Sequence, residues 1–160
     1  MTAYVAFDAI RSGAIRWDDK LEVTEQDLRN VASDEARMYL AVGDRVTVRQ
    51  LLEGLIVASA NDAAQVLARA VGASQEGFSD AMNDTARELG MTDTHLISPS
   101  GVTTKGHHTT ARDLALLATK LTQEFPEYYR FSNQQEFCYR TFHKVNKNKL
   151  LAQDPTVDGL

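Results

Sequence analysis

Residues 47–71 hold the tightest constraint in the chain: two apolar helical stretches that cannot be one helix. Thr47-x-x-Gln50 has the form of a capping box, in which the threonine hydroxyl and the glutamine side chain each satisfy the other residue's backbone N–H. The helix it opens carries Leu51, Leu52, Leu55 and Ile56 almost all round its circumference, so it is expected to be buried. Ser59-Ala60-Asn61 then breaks the pattern. Ser59 or Asn61 is of the right type to cap a second helix over residues 62–71, with Gly72 as its stop. A polar tripeptide between two buried helices places side chains at a rigid junction.

The flanking sequence reads as further helices with marginal sheet. Residues 1–11 have helical spacing, with Tyr4, Val5, Phe7, Ala9 and Ile10 as the apolar set and Gly13 as the stop. Residues 21–24 and 37–42 read as short extended pieces, Gly43-Asp44 as a turn, and 45–48 as a strand. Ser74 caps a helix over 75–89, with Glu76 in its first turn and Gly90 as its stop. Residues 94–102 are irregular. Thr110-x-x-Asp113 reads as a second capping box, opening a helix over 111–124 that ends ahead of Pro126. Residues 136–145 read as one strand, turned back by 146–148. The fold class expected is mainly α with small β pieces (α+β). With 160 residues, 43% of them apolar, no repeats and only three prolines, one folding unit over 1–160 is expected.

Charge and composition remove several classes of function. A net charge of −5 argues against a nucleic-acid partner, and the only basic cluster, residues 144–149, spaces three lysines with two asparagines. Cys138 is the only cysteine, so no intrachain disulfide forms. Residues 1–10 have no basic leader, carry Asp8 and lack a small-residue cleavage site, so they do not read as a signal peptide. No apolar run approaches the roughly 20 residues that span a membrane.

The chemistry rests on Ser59 and Asn61. Acyl transfer needs a nucleophilic hydroxyl, a base, and donors that hold the substrate amide. A second serine can relay a proton between base and leaving amine, and an asparagine two residues on presents an amide on the same wall. Ser-x-Asn is one of three motifs of penicillin-recognising serine acyl-transferases, with Ser-x-x-Lys and Lys-Thr-Gly. Neither of the other two occurs in these 160 residues. An isolated Ser-x-Asn is also what a simple helix cap looks like. The four histidines, His95, His107, His108 and His143, have no carboxylate at metal-ligand spacing, so neither metal nor cofactor is expected. Cys138 and His143, five apart on one strand, would face opposite ways, with the cysteine buried or half-buried. Thr141-x-x-Lys144 mimics a nucleophile motif but is discounted on the same ground. Asp62 is expected to favour the dipole of the second helix. A hydrolase triad of Ser59, His108 and Asp113 is a weaker alternative.

The wider sequence resembles the D-alanyl-D-alanine carboxypeptidases, low-molecular-mass penicillin-binding proteins of the serine D,D-peptidase type. The similarity runs through Gly43-Asp44-Arg45-Val46-Thr47-Val48, the stretch ending Ser59-Ala60-Asn61-Asp62-Ala63-Ala64, and Ala86-Arg87-Glu88-Leu89-Gly90-Met91. It continues through Ser98-Pro99-Ser100-Gly101, Thr110-Ala111-Arg112-Asp113-Leu114-Ala115, Asn146-Lys147-Asn148-Lys149-Leu150-Leu151 and Val157-Asp158-Gly159-Leu160. It covers nearly the whole chain in the family's order.

The resemblance implies the helical subdomain of the serine β-lactamase/D,D-peptidase (transpeptidase-like) fold. In the family, Met-Thr and an aromatic-bearing helix follow Ser-x-x-Lys directly, and Val-Asp-Gly precedes Lys-Thr-Gly. The chain is therefore expected to be a central fragment, cut close to both motifs and lacking the five-stranded sheet it packs on. Ser59 would be the proton-relay hydroxyl, Asn61 the substrate-orienting amide, and Lys147 a basic residue near the substrate carboxylate, weaker than arginine for bidentate contact. The partners implied are peptidoglycan stem peptides and β-lactams, met in the periplasm or outside the cell membrane by a membrane-associated parent. The chain alone is expected to form no acyl-enzyme. The alternative is a non-catalytic scaffold domain that self-associates through the apolar surface left exposed.

Overall fold

The computed structural model describes residues 1–154, 156, 157 and 159. The side chains of Glu127 and Tyr128 lie outside that description, as do Asp158 and Leu160 of the final motif. In chain order the elements are α1 (Thr2–Arg11), β1 (Lys20–Glu22), α2 (Glu25–Arg29), β2 (Arg45–Thr47), α3 (Val48–Val57), α4 (Asn61–Gly72), α5 (Gln75–Glu88), α6 (Ala111–Glu124), α7 (Pro126–Tyr129), β3 (Glu136–Tyr139) and β4 (Phe142–Val145). Two 3-10 turns, Arg130–Asn133 and Lys149–Ala152, flank the last two strands. The mainly α expectation with small β pieces holds. β1 and β2 pair antiparallel with Leu21 opposite Val46, and β3 and β4 pair antiparallel with Cys138 opposite His143.

α3 and α4 form the centre. Leu51, Leu52, Ala63, Val66 and Leu67 are fully buried there, each fully buried leucine contributing about 1.5–3 kcal/mol by leaving water. α1 joins the same core through Phe7, whose ring lies 5.7 Å from Phe125 and 6.3 Å from Trp17. A second cluster, Val5, Ala68, Phe78, Met82 and Leu96, joins α1 and α4 to α5.

The capping predictions are met at α3, where Gln50 N donates to Thr47 Oγ1 (3.2 Å) and Thr47 N donates to Gln50 Oε1 (3.1 Å). At α5 the Gly77 N–H donates to Ser74 Oγ (3.0 Å). At α6 only half the box forms: Asp113 N donates to Thr110 Oγ1 (3.1 Å), but the Asp113 carboxylate does not return. It is fully buried and accepts from Asp93 N (3.0 Å) and Thr94 Oγ1 (2.7 Å), pinning an upstream turn to the helix.

Several local expectations need correction. Gly72 is the last residue of α4, and the left-handed stop is Ala73 (φ 59°). Glycine is required at 72 for another reason: a Cβ there would sit 2.3 Å from the Phe78 backbone nitrogen, where α5 begins. Residues 37–42 join no strand, because the Met38 and Leu40 N–H groups donate to Asp62 (3.0 Å each) instead of a neighbouring strand. The short α2 was not anticipated; its first turn closes when Thr24 N donates to Asp27 Oδ2 (2.7 Å). Residues 136–145 are two strands, because the chain reverses at Arg140 (φ 52°) and Thr141 rather than at 146–148. That reversal makes Cys138 and His143 direct cross-strand partners, so they share a face instead of opposing one. Cys138 is exposed, not buried.

Candidate active site

Ser59-Ala60-Asn61 occupies the break between α3 and α4. The break is made by the backbone of Ser59, which takes a left-handed conformation (φ 55°). With the chain so turned, the Ala60 N–H reaches back to the Gly54 carbonyl (3.0 Å), which also accepts from Ala58 N (3.1 Å). A non-glycine residue in this region carries strain of order 1–3 kcal/mol, and such strain concentrates at functional sites. Ser59 is exposed, and among the described residues its hydroxyl has no hydrogen-bond partner.

Neither Ser59 nor Asn61 caps α4. The N-cap is Ala60, without a side-chain bond, because Asn61 is already helical. The Asn61 amide is engaged elsewhere: Nδ2 donates to Glu35 Oε2 (2.8 Å), while its backbone N–H donates to the Ala36 carbonyl (2.8 Å). Asp62, 1% exposed, sits in the first turn of α4 as expected and also accepts from Ala63 N (3.0 Å). Its bonds to Met38 and Leu40 N–H hold the 35–40 segment against this helix end. Between those two donors Tyr39 is forced to a left-handed φ of 62° and is two-thirds exposed. The site is thus a rigid corner: one free hydroxyl, one immobilised amide, and a loop clamped beside them.

Lys147 lies in the turn after β4, exposed, and makes no ion pair or hydrogen bond among the described residues. No direct bond joins it to Ser59 or Asn61. The weaker Ser59, His108 and Asp113 triad is not assembled. His108 Nδ1 is 2.8 Å from the Gly106 carbonyl oxygen, and Asp113 is fully buried, its Oδ2 accepting from Asp93 and Thr94 and its Oδ1 bonded to nothing among the described residues. His107 has a structural task, accepting at Nδ1 from Ile97 N (3.2 Å) and Ser98 N (3.3 Å). Burial, then the neighbouring His108 and His95, push its pKa below the ordinary 6.5, in keeping with a neutral ring that accepts. Among the described residues no group of three or more His, Cys, Asp or Glu could hold a metal. No helix there is long and apolar enough to cross a membrane. A cavity of about 360 Å³ lies between α1, the end of α3, α6 and the 96–109 loop, and neither Ser59 nor Asn61 lines it.

Glu35 and Ala36 were missed in the sequence. They lie more than twenty residues before Asn61 and carry no local pattern. Asp62 was visible beside the motif, but its long-range bonds were not.

A model of the D-alanyl-D-alanine carboxypeptidase family matches residues 1–160. D-alanyl-D-alanine carboxypeptidase DacC of Escherichia coli K12 is 36% identical over 165 residues, covering 100% of this chain and 41% of that protein. Penicillin-binding protein 5 of Haemophilus influenzae superposes with a TM-score of 0.95 at 30% identity, over 100% of this chain and 47% of that one. Penicillin-binding protein D2 of Listeria monocytogenes, in its cefotaxime-bound form, gives a TM-score of 0.84 at 29% identity, over 100% of this chain and 64% of that one. The chain spans about two fifths of the length of the curated relatives it matches. The fold is therefore that of the penicillin-binding serine D,D-peptidases, and with its whole length matched, this chain belongs to the D-alanyl-D-alanine carboxypeptidase family.

Proposed function

We propose that these 160 residues are the mainly helical unit of a serine D-alanyl-D-alanine carboxypeptidase, contributing the Ser-x-Asn wall of its active site. The reading rests on one observation: Ser59 is held exposed in a strained backbone at the α3–α4 break, two residues from an amide already fixed in place.

In the reaction proposed, a serine hydroxyl attacks the carbonyl of the penultimate D-alanine of a peptidoglycan stem peptide. The terminal D-alanine leaves with a proton, and water then cleaves the acyl-serine. Ser59 would pass the proton between the base and the leaving amine, and Asn61 would bind the substrate backbone. Lys147 would attract the substrate carboxylate. The attacking serine and its lysine base are assigned to flanking segments, since no serine in these residues has a lysine three places on. A β-lactam would be trapped at the acyl stage, a reading supported by the cefotaxime-bound Listeria relative. The setting proposed is extracytoplasmic, in a membrane-associated parent protein.

A second reading, a non-catalytic scaffold, draws support from the apolar groove of about 300 Å³ between α1 and α6, where Leu114 is half exposed. Release of D-alanine from a D-Ala-D-Ala-terminated peptide separates the two. The protein extended by its flanking segments should release D-alanine, and Ser59→Ala and Asn61→Ala should each slow release by about tenfold or more. An extended, folded protein that releases none overturns the carboxypeptidase reading.

A further inference from the structure

We infer that Glu35 is a positioning residue for Asn61, setting which end of its amide faces the substrate. This rests on the active-site reading above. An ionised carboxylate only accepts hydrogen bonds, so Glu35 Oε2 at 2.8 Å must face the Asn61 NH₂ and cannot face its carbonyl. The opposite orientation would set two acceptors against each other. The backbone is fixed from the same side, because Asn61 N donates to the Ala36 carbonyl at 2.8 Å. Glu35 is itself held, its N–H donating to Ala32 (3.2 Å), and the segment after it is tied to α4 by the two bonds to Asp62.

The consequence is a defined polarity. Among the described residues Asn61 Oδ1 has no partner, so the amide presents a free acceptor together with its second N–H. A free acceptor at this point suits an ammonium group or a substrate backbone N–H. Glutamine at position 35 would fit the same space without setting that polarity. Its carbonyl could accept from Nδ2 as Glu35 does, or its NH₂ could donate to Oδ1 and consume the acceptor. The amide would then populate two orientations, one of them unproductive.

Two measurements test this. In the 160-residue chain, nuclear magnetic resonance reads the Asn61 side-chain NH₂ pair, assigned by its loss in Asn61→Ala. One proton of the pair should lie downfield of the other asparagine amides and return among them in Glu35→Gln. An unchanged pair in Glu35→Gln overturns the inference. In the protein extended by its flanking segments, Glu35→Gln should lower the second-order rate of acylation by a penicillin roughly tenfold with its thermal midpoint kept. In an Asn61→Ala background the same substitution should have no further effect. An undiminished rate, or a full tenfold loss in both backgrounds, also overturns it. If the unsubstituted extended protein takes up no penicillin, the functional reading fails, and the inference stands or falls on the amide resonance.

Discussion

The backbone of Ser59 carries both the fold and the proposed chemistry. Its left-handed φ ends α3 and leaves the side chain exposed, with no hydrogen-bond partner among the described residues, at a cost that glycine would not incur. Ser59→Gly should therefore raise the stability of the chain by about 1 kcal/mol in urea denaturation, while removing the hydroxyl that the reaction would use. A less stable Ser59→Gly would mean that the conformation is unstrained. The motif was legible at this scale; the conformation was not. The sequence pattern suggested helix capping for Ser59 or Asn61. In the folded chain, Ser59 is turned outward by its own backbone, and Asn61 is captured by Glu35 before it can cap anything.

Elements were read most reliably where the signal is local. Both arms of the α3 capping box, the Ser74 cap and the turn at Gly43 depend on residues a few positions apart, and each formed as expected. The hairpin was misread because its reversal uses Arg140, a residue with no turn preference, at φ 52°. Tertiary contacts compensate. The Arg140 guanidinium grips Asp44 with two bonds, 2.8 and 3.1 Å, tying the hairpin tip to the turn before β2. Burial alone would raise the Asp44 carboxyl, but the Ala41 N–H and Arg140 outweigh it and hold its pKa below the ordinary 3.8. The unfolded chain then binds the proton more readily than the folded one. The contribution to stability is complete above about pH 3.8 and is lost as pH falls through the lower folded value. Denaturation midpoints followed downward in pH should fall less steeply below that point in Arg140→Gln than in the unsubstituted chain. Parallel curves would show that the pair does not couple folding to protonation.

At the scale of the whole molecule, the parts that were not legible are those that meet only after folding. Asp27 and Arg69 are 42 residues apart, yet Arg69 Nε donates to Asp27 Oδ1 at 2.8 Å. Glu35 and Asn61 are 26 apart, and nothing near either one announces the other. Periodicity and caps specify helices, whereas these pairs specify how the helices and loops lock, and through Glu35 they reach the candidate site itself. The proposed function makes these residues one wall of a serine acyl-transfer site whose nucleophile comes from flanking segments. Intact-mass spectrometry after incubation with a reactive penicillin tests it most directly. No adduct is expected on the folded 160-residue chain, and one penicillin mass on the protein extended by its flanking segments. An adduct on the 160-residue chain would contradict it by placing a nucleophile within these residues, with Ser59 and Thr141 the first positions to map.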